Sequence, residues 1–239
     1  MASAIGELDL QSALRLLRHA GYSDTLQSLG DGQALTRTGL QTIIDLLCEI
    51  SQHDGLTGLG NSRHFKIALE QEVDRASRSG EFALLLLIDL DHFKDINDTY
   101  GHQAGDQALR AAAQVLAKNV RPMDTAARNG GDEFAAILPN CRPDTGFMIA
   151  ERIREQVERT PIAMPDGTKI QVTASIGGAH ISPWNKHLPE EVIEKADQEL
   201  YRAKALGRNR VSMDRAAPTQ VTFDERHLLL NPFGRNANE

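Results

Sequence analysis

The chain has 239 residues, of which 41% are hydrophobic and 25% charged, and this balance excludes an intrinsically disordered protein. Its formal net charge of -7 would repel a nucleic-acid backbone, so we expect no nucleic-acid partner, and a phosphate-bearing ligand needs a local cluster of Lys and Arg. Neither Cys48 nor Cys141 has a CxxC partner, so we expect no zinc site and no disulfide framework.

Two amphipathic helices are predicted in the N-terminal part of the chain. The first runs from Leu8 to about Ala20, and its apolar residues at helical spacing are Leu10, Leu14 and Leu17. In the second, apolar residues alternate in steps of three and four, as in a short coiled coil: Leu40, Ile43, Leu47 and Ile50. So short a pattern fits a dimer seam and an ordinary helix packed on its own segment equally well. Residues 1–52 are therefore interpreted as a helical N-terminal segment and a candidate dimerisation stalk.

The main domain is predicted from residue 53 to residue 213, where helices and strands alternate. The predicted helices are Ser62–Ser79, Gly105–Val120, Asp144–Thr160 and Pro189–Leu206. The predicted strands are Phe82–Ile88 and Ile170–Ser175, with a hairpin at Asn129-Gly130, because this dipeptide favours a type I′ turn. The order of elements predicts an α/β (α+β) sandwich whose helices cover a sheet. Residues 214–239 are interpreted as a tail that could dock through Leu228, Leu229 and Leu230.

Two acids lie where a buried strand is predicted to end. Residues 82–88 are apolar on both faces, as a central strand requires, and Asp89-Leu90-Asp91 follows directly. Alternation would place Asp89 and Asp91 on one face, where two carboxylates could hold a divalent cation such as Mg²⁺. They could equally do no more than end the strand, because Asp is frequent in loops.

A second pair of acids, Asp132 and Glu133, follows the predicted hairpin turn and leads into the apolar run 135–138. A β-turn alone would explain Asn129-Gly130 but not this pair. Acids at the ends of two neighbouring strands could converge on one metal site.

Residues Gly130-Gly131-Asp132-Glu133-Phe134 form the signature of the GGDEF family of diguanylate cyclases, which this chain resembles. The further stretches similar to family motifs, in order, are Asp54–Asn61, Asp89–Asp98, Tyr100–Asp106, Thr173–Gly177 and Ala196–Asn209. The departures are Gly55 and Gly60, where the opening motif often has Pro, and Ser62, where it often has Arg. The resemblance covers roughly residues 54–211. It implies a palm-like fold, with a central mostly antiparallel sheet flanked by helices, and an enzyme that condenses two GTP into cyclic di-GMP and releases two pyrophosphates.

The resemblance implies a site for two Mg²⁺ ions, with Mn²⁺ as a substitute. The implied metal ligands are Asp89, the backbone carbonyl of Leu90 and Asp132, with Glu133 as a further acid at the same ions. Asp91 is structural under this pattern, which differs from the paired-carboxylate hypothesis. The implied catalytic residues are Asp132, Glu133 and Lys94, and Asp132 would help to deprotonate the attacking hydroxyl.

The substrate-binding residues are also implied by the resemblance. Asn97 and Asp106 are similar to the guanine-binding pair of the family, since an amide and a carboxylate together match the Watson–Crick edge of guanine. His102 would line the same pocket. Lys204 and Arg208, together with Lys94, resemble the cations that hold the phosphates, and they supply the positive charge that an acidic protein needs there.

A site for the product is implied by Arg121-Pro-Met-Asp124, which is similar to the RxxD inhibitory motif of the family. Arg152, on the next helix, lies where the family often has a second arginine for this ligand. The alternative is a surface Arg-Asp pair that caps the helix ending near Val120. Binding of cyclic di-GMP there could hold two domains with their active sites apart.

Catalysis in this family requires a homodimer, because each domain presents one GTP to the other. Two alternatives remain: a catalytically silent receptor for GTP or cyclic di-GMP, and a related nucleotidyl transferase with another substrate. The presence of the signature acids and of both guanine-binding residues favours the enzyme. We expect it in the cytoplasm, because its two cysteines suggest no disulfide framework and fit a reducing compartment. We expect no membrane insertion, because no apolar run is long enough to span a bilayer.

Overall fold

The computed structural model describes residues 10–19, 21–28, 37–163, 167–183 and 185–214. The chain divides into two compact units, Met1–His53 and Asp54–Glu239. The predicted docking of Leu228, Leu229 and Leu230 lies outside the described residues. No described helix is both long enough and apolar enough to cross a bilayer.

The N-terminal unit contains α1 (Leu10–His19), α2 (Ser23–Ser28) and α3 (Arg37–Gln52). Its buried cluster is formed by Leu17, Leu26 and Ile43, and Leu47 packs against it. Ile43, a member of the proposed seam, is therefore used inside its own unit, as the amphipathic-helix alternative requires. Leu40 is 37% exposed, and the side chain of Ile50 lies outside the described residues. A dimer contact through α3 stays a prediction.

The second unit is a helix-covered sheet. Its helices are α4 (Ser62–Ser79), α5 (Phe93–Tyr100), α6 (His102–Asn119), α7 (Pro143–Arg159) and α8 (Pro189–Ala205). Its strands are β1 (Ala83–Leu90), β2 (Thr125–Gly130), β3 (Glu133–Leu138), β4 (Ile162–Ala163), β5 (Lys169–Ile170), β6 (Ala174–Ile181) and β7 (Val211–Met213). Five strands form one sheet in the order β2-β3-β1-β6-β7, while β4 pairs with β5. Pairing in the large sheet is antiparallel except between β6 and β7, which confirms the predicted architecture.

The sheet is covered on both faces, and β1 lies at its centre. Leu84 and Leu86 belong to the apolar cluster that β1 shares with α6 and α7. Leu85 belongs to the cluster on the opposite face, which contains residues of α4 and α8. Burial on both faces explains why residues 83–90 are almost continuously apolar.

Two sequence predictions are wrong in position. The strand expected at Ile170–Ser175 is instead the short β5 and the long β6. Gly177 lies inside β6, although glycine is depleted in strands. Only glycine fits at this position, because a Cβ there would come within 2.2 Å of the Ala196 carbonyl oxygen. The hairpin turn is at Gly131-Asp132 and not at Asn129-Gly130, since Gly130 pairs with Glu133 and the register shifts between Arg128 and Gly130.

Candidate active site

The predicted metal-binding residues meet at one edge of the sheet. Asp89, near the end of β1, lies opposite Glu133 at the start of β3 in the antiparallel register. The Leu90 amide donates to the carbonyl oxygen of Asp132 at 3.4 Å, so the two-residue turn lies beside the end of β1. The predicted convergence of acids from two strand ends is therefore present in the fold.

The environment of Asp89 is electrostatically unfavourable for a carboxylate. Burial raises its pKa above the ordinary value, and the neighbouring charges of Asp132 and Glu133 raise it further. Lys204 opposes this shift, because its Nζ lies 2.8 Å from Asp89 Oδ2. The edge therefore concentrates negative charge that a bound cation would relieve.

The donor chemistry of this edge fits a hard cation such as Mg²⁺. Carboxylates and a backbone carbonyl are oxygen ligands, and Mg²⁺ is usually held by one or two carboxylates together with substrate phosphates. Within the described ranges, no three His, Cys, Asp or Glu side chains lie close enough together to form a metal site by themselves. Asp89, the Leu90 carbonyl, Asp132 and Glu133 are thus the residues that could hold an ion, with further ligands supplied by a phosphate-bearing molecule.

Asp91 does not belong to this group, so the hypothesis of an Asp89–Asp91 metal pair is wrong. It is 4% exposed, and its carboxylate accepts hydrogen bonds from Thr173 Oγ1 and Ser175 Oγ, both at 2.7 Å. The Asn209 amide donates to it at 3.0 Å. Asp91 is structural, as the family pattern implies, and it fixes the turn that follows α8.

The two predicted guanine-binding residues come from adjoining helices. Asn97 lies on α5 and Asp106 on the first turns of α6, and both are half-buried. A Cβ at Gly105 would lie 2.0 Å from Asn97 Oδ1, so glycine at this position lets the amide approach the backbone beside Asp106. In the described part of the chain, neither side chain has a hydrogen-bond partner. His102 is exposed at the start of α6.

The three predicted phosphate-binding cations differ in their surroundings. Lys94 is exposed on α5, whereas Lys204 is half-buried on α8 and paired with Asp89. Arg208 is exposed, with a φ of 61° in the turn after α8, and its neighbour Asn209 is anchored by Asp91. Lys204 Nζ has two further N–H donors, so it could contact a phosphate while it stays paired with Asp89.

The predicted product-binding residues surround the end of α6. The Arg121 amide donates to Asp124 Oδ2 at 2.7 Å, and the Asp124 amide donates to the Arg121 carbonyl at 2.9 Å. Burial raises the pKa of Asp124. Arg152 reaches across from α7 and donates to the Asn119 side-chain and backbone oxygens at 2.8 and 3.0 Å. Both Arg121–Asp124 hydrogen bonds thus use the Arg121 backbone, one of them to the Asp124 side chain, and among the described residues the Arg121 guanidinium forms no ion pair with Asp124.

Sequence reasoning missed two features of the site. Arg128 donates to the Gly131 carbonyl, inside the signature turn, and also pairs with Asp54. Only its closeness to the signature could have indicated a role, because a lone arginine is usually solvated. A cavity of about 210 Å³ adjoins Glu133 between α4 and α8, with Lys66 and Asp197 among its lining residues.

Comparisons with known proteins identify the family of this fold. The family model described as "Diguanylate cyclase, GGDEF domain" matches residues 51–210. The response regulator PleD of Caulobacter vibrioides is 42% identical over 173 residues, and diguanylate cyclase DosC of Escherichia coli is 40% identical over 177 residues. Each alignment covers 72% of this chain but 38% of the relative, so the chain spans well under half the length of these two proteins.

Among solved structures, the chain is similar to the coiled coil and GGDEF domain of DgcB from Caulobacter crescentus, crystallised in complex with c-di-GMP. The TM-score is 0.71 at 31% sequence identity, and the match covers 83% of this chain and all of the other.

Proposed function

The chain belongs to the GGDEF family of diguanylate cyclases, and on that premise we propose that it condenses two GTP molecules into cyclic di-GMP and releases two pyrophosphates. The observation that carries the proposal is the β1–β3 register, which sets Asp89 opposite Glu133 with Asp132 in the adjoining turn. A receptor without catalysis would gain nothing from Asp132 and Glu133 in positions where they add to the effect of burial on the pKa of Asp89.

Guanine recognition is assigned to Asn97 and Asp106. Asp106 would accept from the N–H groups of the Watson–Crick edge, and the Asn97 amide would donate and accept beside it. Adenine presents the reverse pattern at this edge and would leave polar groups of the site unpaired, which disfavours ATP. His102 lines the same pocket.

The reaction forms two bonds, each between the 3′ oxygen of one GTP and the α-phosphorus of the other, and each time the bond from that phosphorus to pyrophosphate breaks. Mg²⁺ or Mn²⁺, two ions per site, would neutralise charge on the phosphates when bound. Asp132 takes the proton of the attacking hydroxyl, and Glu133 keeps the edge anionic. Lys94, Lys204 and Arg208 hold phosphate oxygens.

Two domains are required, because each half of the product derives from a separate GTP. We infer a homodimer in which the sites face each other, so that an intramolecular-like geometry replaces a bimolecular encounter. The similarity to a DgcB structure that includes a coiled coil supports a role of the N-terminal helices in bringing two domains together. On α3, Leu40 and Ile44 are exposed and are candidates for this contact.

Product inhibition is proposed at Arg121, Asp124 and Arg152. Guanidinium groups match phosphate oxygens and the Hoogsteen edge of guanine, and a carboxylate accepts from guanine N–H groups. That the DgcB neighbour was crystallised with c-di-GMP supports a site for this ligand on the same fold.

The test is to incubate the purified chain with GTP or ATP, each with Mg²⁺, and to identify products by mass spectrometry. Cyclic di-GMP from GTP alone supports the proposal. A product from ATP would indicate a different nucleotidyl transferase. No turnover, together with cyclic di-GMP binding measured by calorimetry, would indicate the silent receptor.

A further inference from the structure

The loop that opens the catalytic unit is hydrogen-bonded to β2 at its two ends, Asp54 and Gly60. This opening loop, residues 54–60, is closed by Asp54, which accepts from the Thr57 amide at 3.0 Å and from Thr57 Oγ1 at 2.6 Å. Its last residue, Gly60, donates to the Ala126 carbonyl at 3.0 Å and accepts from the Arg128 amide at 2.7 Å. The opening loop therefore moves with β2, the strand that leads into the signature turn.

The side chain of Arg128 connects the two ends of this arrangement. Its Nη1 lies 3.3 Å from both carboxylate oxygens of Asp54. On the other side, Nε and Nη2 donate to the Gly131 carbonyl at 2.9 and 2.6 Å. The Arg128 and Asp54 side chains are 16% and 22% exposed, so water competes only partly for these bonds.

We propose that Arg128 is a positioning residue that holds the Gly131-Asp132 turn in its catalytic geometry, and that Asp54 holds Arg128 in place. We call this arrangement the Asp54–Arg128–Gly131 clamp. The proposal rests on the proposed cyclase activity for its kinetic readout. The clamp lies at the first residue of the catalytic unit, so a displacement of the opening loop would reach the turn that carries Asp132.

Three physical arguments support the clamp. On the β1 side the turn is held by the Leu90 amide at 3.4 Å, which is a long bond, whereas Arg128 supplies two short ones. The planar fork of the guanidinium directs Nη1 to Asp54, and Nε with Nη2 to the Gly131 carbonyl, whereas all donors of a lysine ammonium leave one nitrogen. Burial pushes the pKa of Asp54 upward, but the Thr57 and Arg128 hydrogen bonds outweigh it, so the carboxylate stays ionised at neutral pH.

Three variants test the clamp: Arg128→Lys, Asp54→Asn, and the charge swap Asp54→Arg with Arg128→Asp. The matched control is Arg78→Lys, because Arg78 forms an exposed ion pair with Asp74 at 2.6 Å on α4. For each variant we measure kcat and KM for GTP, the Mg²⁺ concentration for half-maximal rate, and the melting temperature. Amide hydrogen exchange at residues 130–133 without nucleotide reports on the turn independently of activity.

A positioning role predicts that Arg128→Lys lowers kcat about tenfold and changes KM by less than about twofold. The reason is that a small displacement of a catalytic group lowers the rate of the chemical step much more than it weakens substrate binding. Amide hydrogen exchange at residues 130–133 should be faster, and the Mg²⁺ concentration for half-maximal rate should be higher. Asp54→Asn should change the same quantities in the same direction but less. The charge swap should stay as slow as Arg128→Lys, since Asp at position 128 cannot donate to the Gly131 carbonyl.

Recovery of kcat in the charge swap would overturn the proposal, because the ion pair alone would then suffice. Unchanged kcat and unchanged exchange in Arg128→Lys would also overturn it. If the wild-type chain forms no cyclic di-GMP, the proposed function fails, and the exchange measurement still decides for or against the clamp.

Discussion

The acids at the β1–β3 edge and the arginines at the end of α6 are both candidate ligand-binding groups, but they start from opposite energetic conditions. At the edge, Asp132 and Glu133 make ionisation of the buried Asp89 harder. At the end of α6, Arg152 already donates to two oxygens of Asn119, at the terminus where a helix favours positive charge. A cation arriving at the edge relieves repulsion, whereas a ligand arriving at α6 must compete with existing hydrogen bonds.

The sharpest test of this contrast is the substitution of a metal-binding acid. We expect Asp89→Asn and Asp132→Asn each to lower kcat about a thousandfold or more, because each removes an anionic oxygen from the reacting centre. The melting temperature without metal should be unchanged or higher, since repulsion is removed as well. Mass spectrometry of products and calorimetric melting measure the two effects. Full activity in either variant would contradict the site.

Next in size is the loss of a guanine contact. Asn97→Ala and Asp106→Ala should raise KM for GTP about tenfold to a hundredfold and reduce the preference for GTP over ATP, because a polar partner of the base is lost. Steady-state kinetics with both nucleotides measure this. Unchanged KM and unchanged preference in both variants would remove these residues from the site.

Substitutions of the two arginines at the end of α6 should differ in their effect on stability. Arg121→Ala and Arg152→Ala are both expected to weaken cyclic di-GMP binding about tenfold or more, because each removes a charge-assisted contact. Only Arg152→Ala should also lower the free energy of unfolding, by about 1 kcal/mol, since it alone bonds to α6. Titration calorimetry and denaturant unfolding give the two quantities. Equal product affinity in wild type and Arg121→Ala would place the inhibitory site elsewhere.

The smallest expected effect is a pH dependence of the stability of the fold that arises from Asp89. The folded-state pKa of Asp89 lies above its ordinary value of 3.8, so the folded protein binds this proton more tightly than the unfolded chain. The contribution of Asp89 to stability is therefore fully present below pH 3.8, and it is lost as the pH rises through the raised folded-state pKa. Without metal, Asp89→Asn should gain melting temperature relative to wild type over this interval. An opposite trend would show that Lys204 outweighs burial and repulsion.

The sequence predicted most of what lies at the edge and less of what supports it. The apolar residues 82–88 could be interpreted as a buried strand, and Asp132 and Glu133 as acids beside a turn, because both structures strongly constrain residue types. Helix α5 was missed, since Ile96 is its one buried residue and gives no periodic pattern. The turn was misplaced by two residues because the Asn129-Gly130 signal does not reveal a bulge.

The hydrogen bonds to Asp91 have a consequence for the order in which a ribosome can complete this domain. Its carboxylate is satisfied by Thr173, Ser175 and Asn209, all of which are synthesised long after β1. Before Asn209 has left the ribosome, the nascent chain would have to bury the Asp91 carboxylate without the Asn209 hydrogen bond, or leave the end of β1 open to water. The hydrogen bonds of Asp91 are therefore complete only after the last turn of the domain has emerged, so the end of β1 beside Asp89 gains its full support late in synthesis.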